Sequence, residues 1–432
     1  MRTRLRVEAN EYLLDTLEYN QEYLSSDLFF STMDSSEESW QDVVERRCNQ
    51  NPYSNNGILI FPLFHFVLLF NSQLSENDDR FHLLLFENHC ASDGRSGFVL
   101  INDFLTLATS PNLNPMSEPL NVDIIPLIGN MIPRSFSPLY LVLSLLGKHL
   151  LKYEYRKLTR PRIPIKLNPL SDNQSSPFHA PRYHIKFLFS SSSVDLYANL
   201  HKQCQLRQVT LNGPLFACLL LAIHHCFPLK HDTRLQPFPI GVAFDMRSRL
   251  PRSPLAETSV GLFIGCSEMK LRRSLSMRST RFWSLSEQCM VNTRNQLKSN
   301  GVPLNMNILA NIARNERNFA QFTRYCPDGR HSELGFSNVG KYPYSCEYNQ
   351  GEIRLRGLHV VNNVSIYRTS TVIFVTCAGD GQLDFSLAHE MDSDNRAKQF
   401  FDFYLRLIET CADEKFCREE TTLNDILKSV QQ

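Results

Sequence analysis

The chain has 432 residues, with 45 Lys or Arg against 44 Asp or Glu, for a formal net charge of +1. That balance excludes the basic surplus of a dedicated nucleic-acid binder, and a 42% hydrophobic content excludes wholesale disorder. The length predicts two to three domains of about 150 residues, and the 17 glycines are too few for glycine-dense nucleotide folds. Twelve cysteines are scattered along the chain without a C-x-x-C pair, which reads as free thiols in a reducing compartment. The N-terminus is basic (MRTRLR) but no apolar signal region follows it. The longest apolar stretches, 58–70 and 139–151, fall short of the roughly 20 residues that cross a bilayer. The expectation is a cytoplasmic, soluble monomer with no nucleic-acid partner and at most peripheral membrane contact.

In chain order, residues 5–9 predict a strand, followed by an acidic loop. Ser35-Ser36-Glu37-Glu38-Ser39-Trp40 predicts a helix start, with hydroxyls to cap and carboxylates for the first turn. Residues 58–70 are β-branched and aromatic and interrupted by Pro62, so they read as one or two buried strands. The polar run 71–80 turns the chain into a second strand, FHLLLFE at 81–87, and the two read as neighbours in a sheet. Residues 96–107 carry apolar side chains at helical spacing. A further helix is expected at 139–155. Residues 159–182 are rich in Pro, Ser and Asn and contain the expected boundary: an N-terminal lobe over 1–165, a linker at 166–182 and a C-terminal lobe over 183–432.

The second lobe opens with a strand at 183–189 and a helix at about 194–207, preceded by a serine run. VTLNGP at 209–214 opens an apolar helix over 215–226, with Pro214 in a tolerated first-turn position. A strand follows at 239–246, then Arg-rich, proline-broken loops. Helices are expected at 276–300 and 306–320. Strands follow at 334–339, 353–359, 371–377 and 382–388, with a turn at 378–381, and a helix at about 393–411 closes the chain.

One motif carries chemistry. The strand at 81–87 runs into Asn88-His89-Cys90-Ala91-Ser92-Asp93-Gly94-Arg95-Ser96, an H-x-x-x-D-G string between a strand and a helix. Imidazole titrates near neutrality, so it can accept and return a proton at working pH. Asp93 can order the loop by accepting from main-chain amides or from an arginine, and Gly94 permits a tight turn. As a bare string the motif is weak, and a part-buried histidine followed by a capping aspartate is its plain alternative.

Two later segments add to it: GVAFDMRSRLP at 241–251 followed by VGLFIG at 260–265, and LGFSNVG at 334–340. Together with HCASDGRSG and VTLNGPLFACLLLAI, and in the same order, they resemble the acyltransferase superfamily of chloramphenicol acetyltransferase, peptide-synthetase condensation domains and alcohol O-acetyltransferases. The likeness spans roughly residues 1–410 and is greatest to the alcohol acetyltransferase and dimycocerosyl-transferase branch. The resemblance implies an α/β (α+β) fold of two similar lobes, each a mixed sheet flanked by helices, with an interlobe tunnel. It implies that His89 is the general base of a direct acyl transfer from a thioester, acyl-CoA or an acyl-carrier thioester as co-substrate, to a small alcohol. No bound cofactor and no metal are implied. Asp93, Gly94 and Arg247 would be structural at the active site, with Asp93 and Arg247 matched as a pair. Ser337 and Asn338 would line the tunnel or donate to the oxyanion.

The chain departs from the family in two places. Asn88 stands where many relatives carry an extra histidine, and Met1 falls where the family's first strand and helix would already have passed. The second departure favours a rival reading, a non-catalytic or carrier-protein-dependent condensation-like module. Hydrolysis of a thioester by water is a third. Gly335-x4-Gly340-Lys341 resembles a P-loop, but Tyr342 replaces the metal-binding hydroxyl and no helix start follows. His224 and His225 are adjacent on a helix and point about 100° apart, which is poor metal-ligand geometry.

Overall fold

In a computed structural model, the residues described are 3–8, 11–16, 29–50, 63–71, 80–89, 91–110, 162–165, 184–229, 233–249, 257–298, 302, 332–363, 369–379 and 381–431. They fall into two compact units, one drawn from Met1–Leu120 with Leu255–Phe263, the other from Asn121–Pro254 with Ile264–Gln432. The expected helices at 139–155 and 306–320 and the linker at 166–182 lie outside the described residues.

The first unit begins with a two-stranded antiparallel ribbon, β1 (Thr3–Glu8) and β2 (Glu11–Thr16). Next come β3 (Phe30–Asp34), α1 (Trp40–Asn49), β4 (Phe64–Phe70), β5 (Phe81–Glu87) and α2 (Gly94–Ala108). The sheet order is β3-β4-β5, with β3 parallel and β5 antiparallel to β4. Because side chains alternate along β4, its two faces take different partners. Val67 and Leu69 cluster with Val43 of α1, while Phe66 stacks on Phe104 of α2 with ring centroids 4.5 Å apart. A hydroxyl caps α1 as the sequence predicts, the Ser39 hydroxyl accepting from the Asp42 amide at 3.2 Å, but the helix begins at Trp40, so Glu37 and Glu38 precede it and the first-turn carboxylate is Asp42. Strands β2 and β3 fall within what the sequence presents as an acidic loop. The expected pairing of 81–87 with the preceding apolar run is observed, residue for residue, as β4 and β5.

The second unit contains β6 (Lys186–Ser191), α3 (Val194–Leu206), α4 (Asn212–Cys226), β7 (Arg234–Leu235), β8 (Ile240–Asp245), β9 (Ile264–Met269), β10 (Leu275–Ser276) and α5 (Phe282–Lys298). It continues with β11 (Gly335–Lys341), β12 (Glu347–Tyr348), β13 (Ile353–Arg354), β14 (Thr371–Ala378), β15 (Gln382–His389), α6 (Asp394–Ala412) and α7 (Leu423–Gln431). A six-stranded mixed sheet runs β6-β15-β14-β11-β8-β9, parallel at β14/β11/β8 and antiparallel elsewhere. Strands β14 and β15 are buried along most of their length. One face presents Ile373, Val375, Leu383, Phe385 and Leu387 to the apolar core shared with α4 and α6. Every residue of α4 from Gly213 to Ile223 is buried, as an all-apolar helix requires. At its start a Cβ on Gly213 would lie 2.6 Å from the Ser286 carbonyl oxygen, so glycine lets α4 and α5 approach. Gly379, at φ +58°, lies in the β14/β15 turn, where a Cβ would meet the Arg356 carbonyl.

Three expectations are corrected here. Residues 353–359 do not form a full strand. Only Ile353–Arg354 pairs, with β12, and the chain then turns so that the Leu358 amide donates to the buried carboxylate of Asp384 at 2.7 Å. The helix expected from 276 starts at Phe282, because Leu275–Ser276 pairs with β7 and a turn closes from the Thr280 amide to the Ser276 carbonyl. Ser193 stands at the N-cap of α3 without a side-chain capping bond. Among the described residues no helix is long and apolar enough to cross a membrane, and ten cysteines are free thiols.

Candidate active site

The H-x-x-x-D-G loop takes its shape from the strand and the helix that flank it. Leaving β5, the Asn88 amide donates to the Leu63 carbonyl at 2.9 Å, which extends the ladder by one rung. The Ala91 amide then donates back to the Asn88 carbonyl at 2.9 Å, closing a four-residue turn with His89 in its second position. Cys90 lies outside the described residues. Asp93 is the N-cap of α2, extended at φ −131° and ψ 173°, so the helix begins at Gly94.

His89 is part-buried, and its Nδ1 lies 2.7 Å from the carbonyl oxygen of Ser92. A carbonyl oxygen can only accept, so the imidazole proton sits on Nδ1 and that nitrogen donates. In the neutral ring the lone pair is then on Nε2. The loop thus selects the tautomer that a base acting through Nε2 requires.

Behind the histidine, Ser92, Asp93 and Ser96 are all fully buried polar residues. Asp93 Oδ1 accepts from the Ser96 amide at 2.9 Å and from the Ser96 hydroxyl at 3.0 Å, while Oδ2 accepts from the Phe263 amide at 2.8 Å. The single Ser96 hydroxyl proton is shared between Asp93 Oδ1 and the Gly261 carbonyl, 2.8 Å from Oγ, and Oγ accepts from the Gly261 amide at 3.0 Å. Segment 257–263 is therefore clamped onto the loop, though it lies some 165 residues further along the chain. Buried polar groups persist only when they are hydrogen-bonded, and this pair of side chains satisfies two main chains at once.

Glu87, the last residue of β5, was not singled out by the sequence. Its carboxylate accepts from the Ser92 hydroxyl at 2.5 Å and lies against the first turn of α2, within 3.6 Å of where a Cβ on Gly97 would stand. Burial pushes its pKa up to about 7; the Ser92 hydrogen bond opposes that shift and the nearby Asp93 charge adds to it.

In the second unit, Arg247 is 1% exposed and its Nη1 donates to Asp245 Oδ1 at 3.0 Å. Asp245 also accepts from the Arg247 amide at 3.0 Å, so the described bonds hold the D-x-R turn locally. Asn338 lies at a bulge in β11. Its Oδ1 accepts from the Gly340 amide at 3.0 Å, and its Nδ2 donates to Asn212 Oδ1 at 2.7 Å. One bond thereby joins the S-N-x-G stretch to the N-G-P stretch at the start of α4. Asn212 went unmarked in the sequence, because nothing in the spacing of two segments 126 residues apart announces their contact. Ser337 is part-buried one residue earlier on β11, opposite Phe374.

Compared with known proteins, the chain matches no family model and no curated protein. Solved structures do match. The first condensation domain of the calcium-dependent antibiotic synthetase aligns with a TM-score of 0.61 at 10% identity, over 98% of this chain and 85% of that one. TRI3 trichothecene 15-O-acetyltransferase from Fusarium sporotrichioides aligns with a TM-score of 0.60 at 13% identity, over 87% and 75%. The epimerization domain from the third module of tyrocidine synthetase B aligns with a TM-score of 0.56 at 15% identity, over 95% and 86%. The mixed sheets, the helix order and these alignments agree: the chain has the fold of condensation domains and chloramphenicol-acetyltransferase-like acyltransferases.

Proposed function

We propose that this protein is an acyltransferase that moves an acyl group from a thioester to an alcohol hydroxyl, with His89 as general base. The observation that carries the reading is the bond from His89 Nδ1 to the Ser92 carbonyl, which leaves Nε2 with its lone pair in the turn that follows β5. The acceptor hydroxyl gives its proton to Nε2 as its oxygen bonds to the thioester carbonyl carbon. The tetrahedral species then collapses, the carbon–sulfur bond breaks, and the imidazolium returns the proton to the departing thiolate. Both proton movements use one imidazole, so the scheme requires no metal, no bound cofactor and no acyl-enzyme.

Ser337 and Asn338 enter this proposal as hydroxyl and amide donors to the developing oxyanion, on the strength of their motif. Removing one such donor costs about 10²–10³ in kcat in comparable sites. Acyl-CoA is the proposed donor, and the protein acts as a cytoplasmic monomer. The fold supports a second reading equally. Condensation domains align as well as an acetyltransferase does, so a carrier-bound thioester and an amine acceptor fit the same base.

The test is product mass spectrometry on purified protein incubated with mixed acyl-CoAs, carrier-protein thioesters and a panel of alcohols and amines. His89→Ala is expected to keep the fold and to lower transfer by about 10²–10⁴. Equal rates for this variant and the parent would refute the assignment.

A further inference from the structure

Glu87 and His89 both contact Ser92, through different atoms. The Ser92 hydroxyl donates to Glu87 Oε2 at 2.5 Å, and the Ser92 carbonyl accepts from His89 Nδ1 at 2.7 Å. Ser92 itself is fully buried and has no exposed surface on which to relax. Its side chain is thus anchored to the end of β5, and its main chain aims the ring. We propose that Glu87 is a positioning residue for His89, holding Ser92 by the hydroxyl so that the Ser92 carbonyl keeps the imidazole proton on Nδ1. This rests on the reading of His89 as the base.

Three features of the site support a role of this kind. The carboxylate stands at the last rung of β5, where Glu87 pairs with Phe64, so its backbone is fixed by the sheet rather than by the loop it steers. The one other charge that acts on it has its own partners: Asp93 is engaged with Ser96 and Phe263. Burial raises the Glu87 pKa to about 7, so keeping an acid there is unfavourable for folding, and a glutamine of the same shape would avoid that penalty. Above about pH 7, where this carboxyl is ionised, it forms a shorter and firmer bond to a hydroxyl than a neutral acceptor does.

The experiment reads the tautomer directly. Histidine labelled with ¹⁵N in the ring is observed by NMR in the full chain, with the His89 signals assigned from their loss in His89→Ala. In the parent, Nδ1 is expected at the shift of a protonated nitrogen and Nε2 at that of a bare one. In Glu87→Ala and in Ser92→Ala the two shifts are expected to move toward each other, as the tautomers mix. In Glu87→Gln, whose amide oxygen still accepts from Ser92, they are expected to stay near parental values. Transfer assays on the same proteins should show kcat lowered about tenfold in Glu87→Ala with KM little changed, since misplacing a catalytic group weakens the chemical step. The Glu87→Ala and Ser92→Ala effects are expected to be non-additive in the double variant.

Parental ring shifts in both alanine variants would overturn the proposal, as would fully additive losses. A parent that mixes tautomers would do the same. A parent with the single tautomer but no transfer activity would refute the acyl-transfer reading alone, while the shifts in the variants still decide the role of Glu87.

Discussion

The two units are held together by different means. In the second, the six-stranded sheet and its helices share one continuous apolar core, and α4 is enclosed from Gly213 to Ile223. In the first, the described apolar clusters are small, such as Leu63 with Phe64 and Val43 with Val67 and Leu69. The loop carrying His89 is instead held by buried polar groups: Ser92, Asp93 and Ser96, each fully enclosed and hydrogen-bonded. Apolar burial is non-directional and tolerates small shifts, whereas a hydrogen bond specifies distance and angle. An imidazole that must present one particular nitrogen is better placed by the second kind of contact. Among the described residues, the larger continuous apolar core lies in one unit and the buried polar clamp in the other.

The largest expected effect tests the first half of that contrast. Phe385 on β15 is 1% exposed in the core, so Phe385→Ala should destabilise the protein by about 3–5 kcal/mol in chemical denaturation. The His89 tautomer should be unaffected under native conditions. A loss below 1 kcal/mol would show that this core is not the source of stability.

Next in size is Asp93→Ala. It removes the cap of α2 and leaves the Phe263 amide without this acceptor, an expected loss of about 2–4 kcal/mol together with transfer activity. Asp93→Asn should behave similarly, because an amide nitrogen facing Phe263 N–H sets donor against donor. If Asp93→Ala kept parental stability, the polar clamp would not be what holds segment 257–263 to the loop.

The third prediction concerns pH. Glu87 has a folded pKa raised to about 7 from an ordinary 4.5, so the folded state keeps a proton that the unfolded chain releases in that window. Stability should therefore fall as pH rises from about 4.5 to 7, and the penalty should be complete above it. Glu87→Gln removes the slope. It should match the parent near pH 4 and exceed it at pH 8 by ~1–3 kcal/mol in denaturant titrations. Parallel stability–pH curves for parent and variant would place this carboxyl in a more solvated setting. The smallest effect is expected at the surface, where Ser39→Ala should cost only ~0.5–1 kcal/mol through the lost cap of α1.

Much of the local structure was legible because local periodicity and capping chemistry are short-range signals. The strand FHLLLFE and the loop after it were readable, as was a helix over 96–107, which begins two residues earlier at Gly94, and a helix start within 35–40, which Ser39 caps. Short or half-polar elements were not. β3 (FSTMD) and β9 (IGCSEM) lack a clean apolar alternation, and their pairing depends on partners elsewhere in the chain. The helix α7 did carry a usable signal. Thr422 and Asp425 form a capping box, with the Asp425 amide donating to the Thr422 hydroxyl at 3.3 Å and the Thr422 amide donating back at 3.2 Å. Its buried Leu423, Ile426 and Val430 follow helical spacing.

For the candidate site the division is sharper. The sequence by itself determined that a histidine and, four residues on, an aspartate stand in a loop between a strand and a helix, with a helix cap as the plain reading of the aspartate. Only the tertiary structure decided which imidazole nitrogen carries the proton, that Glu87 reaches Ser92, and that Gly261 and Phe263 return to close the loop. Chain order contains the residues but not the distances between them, and a hydrogen bond depends on a separation of about 3 Å that 165 intervening residues leave open until the chain has folded.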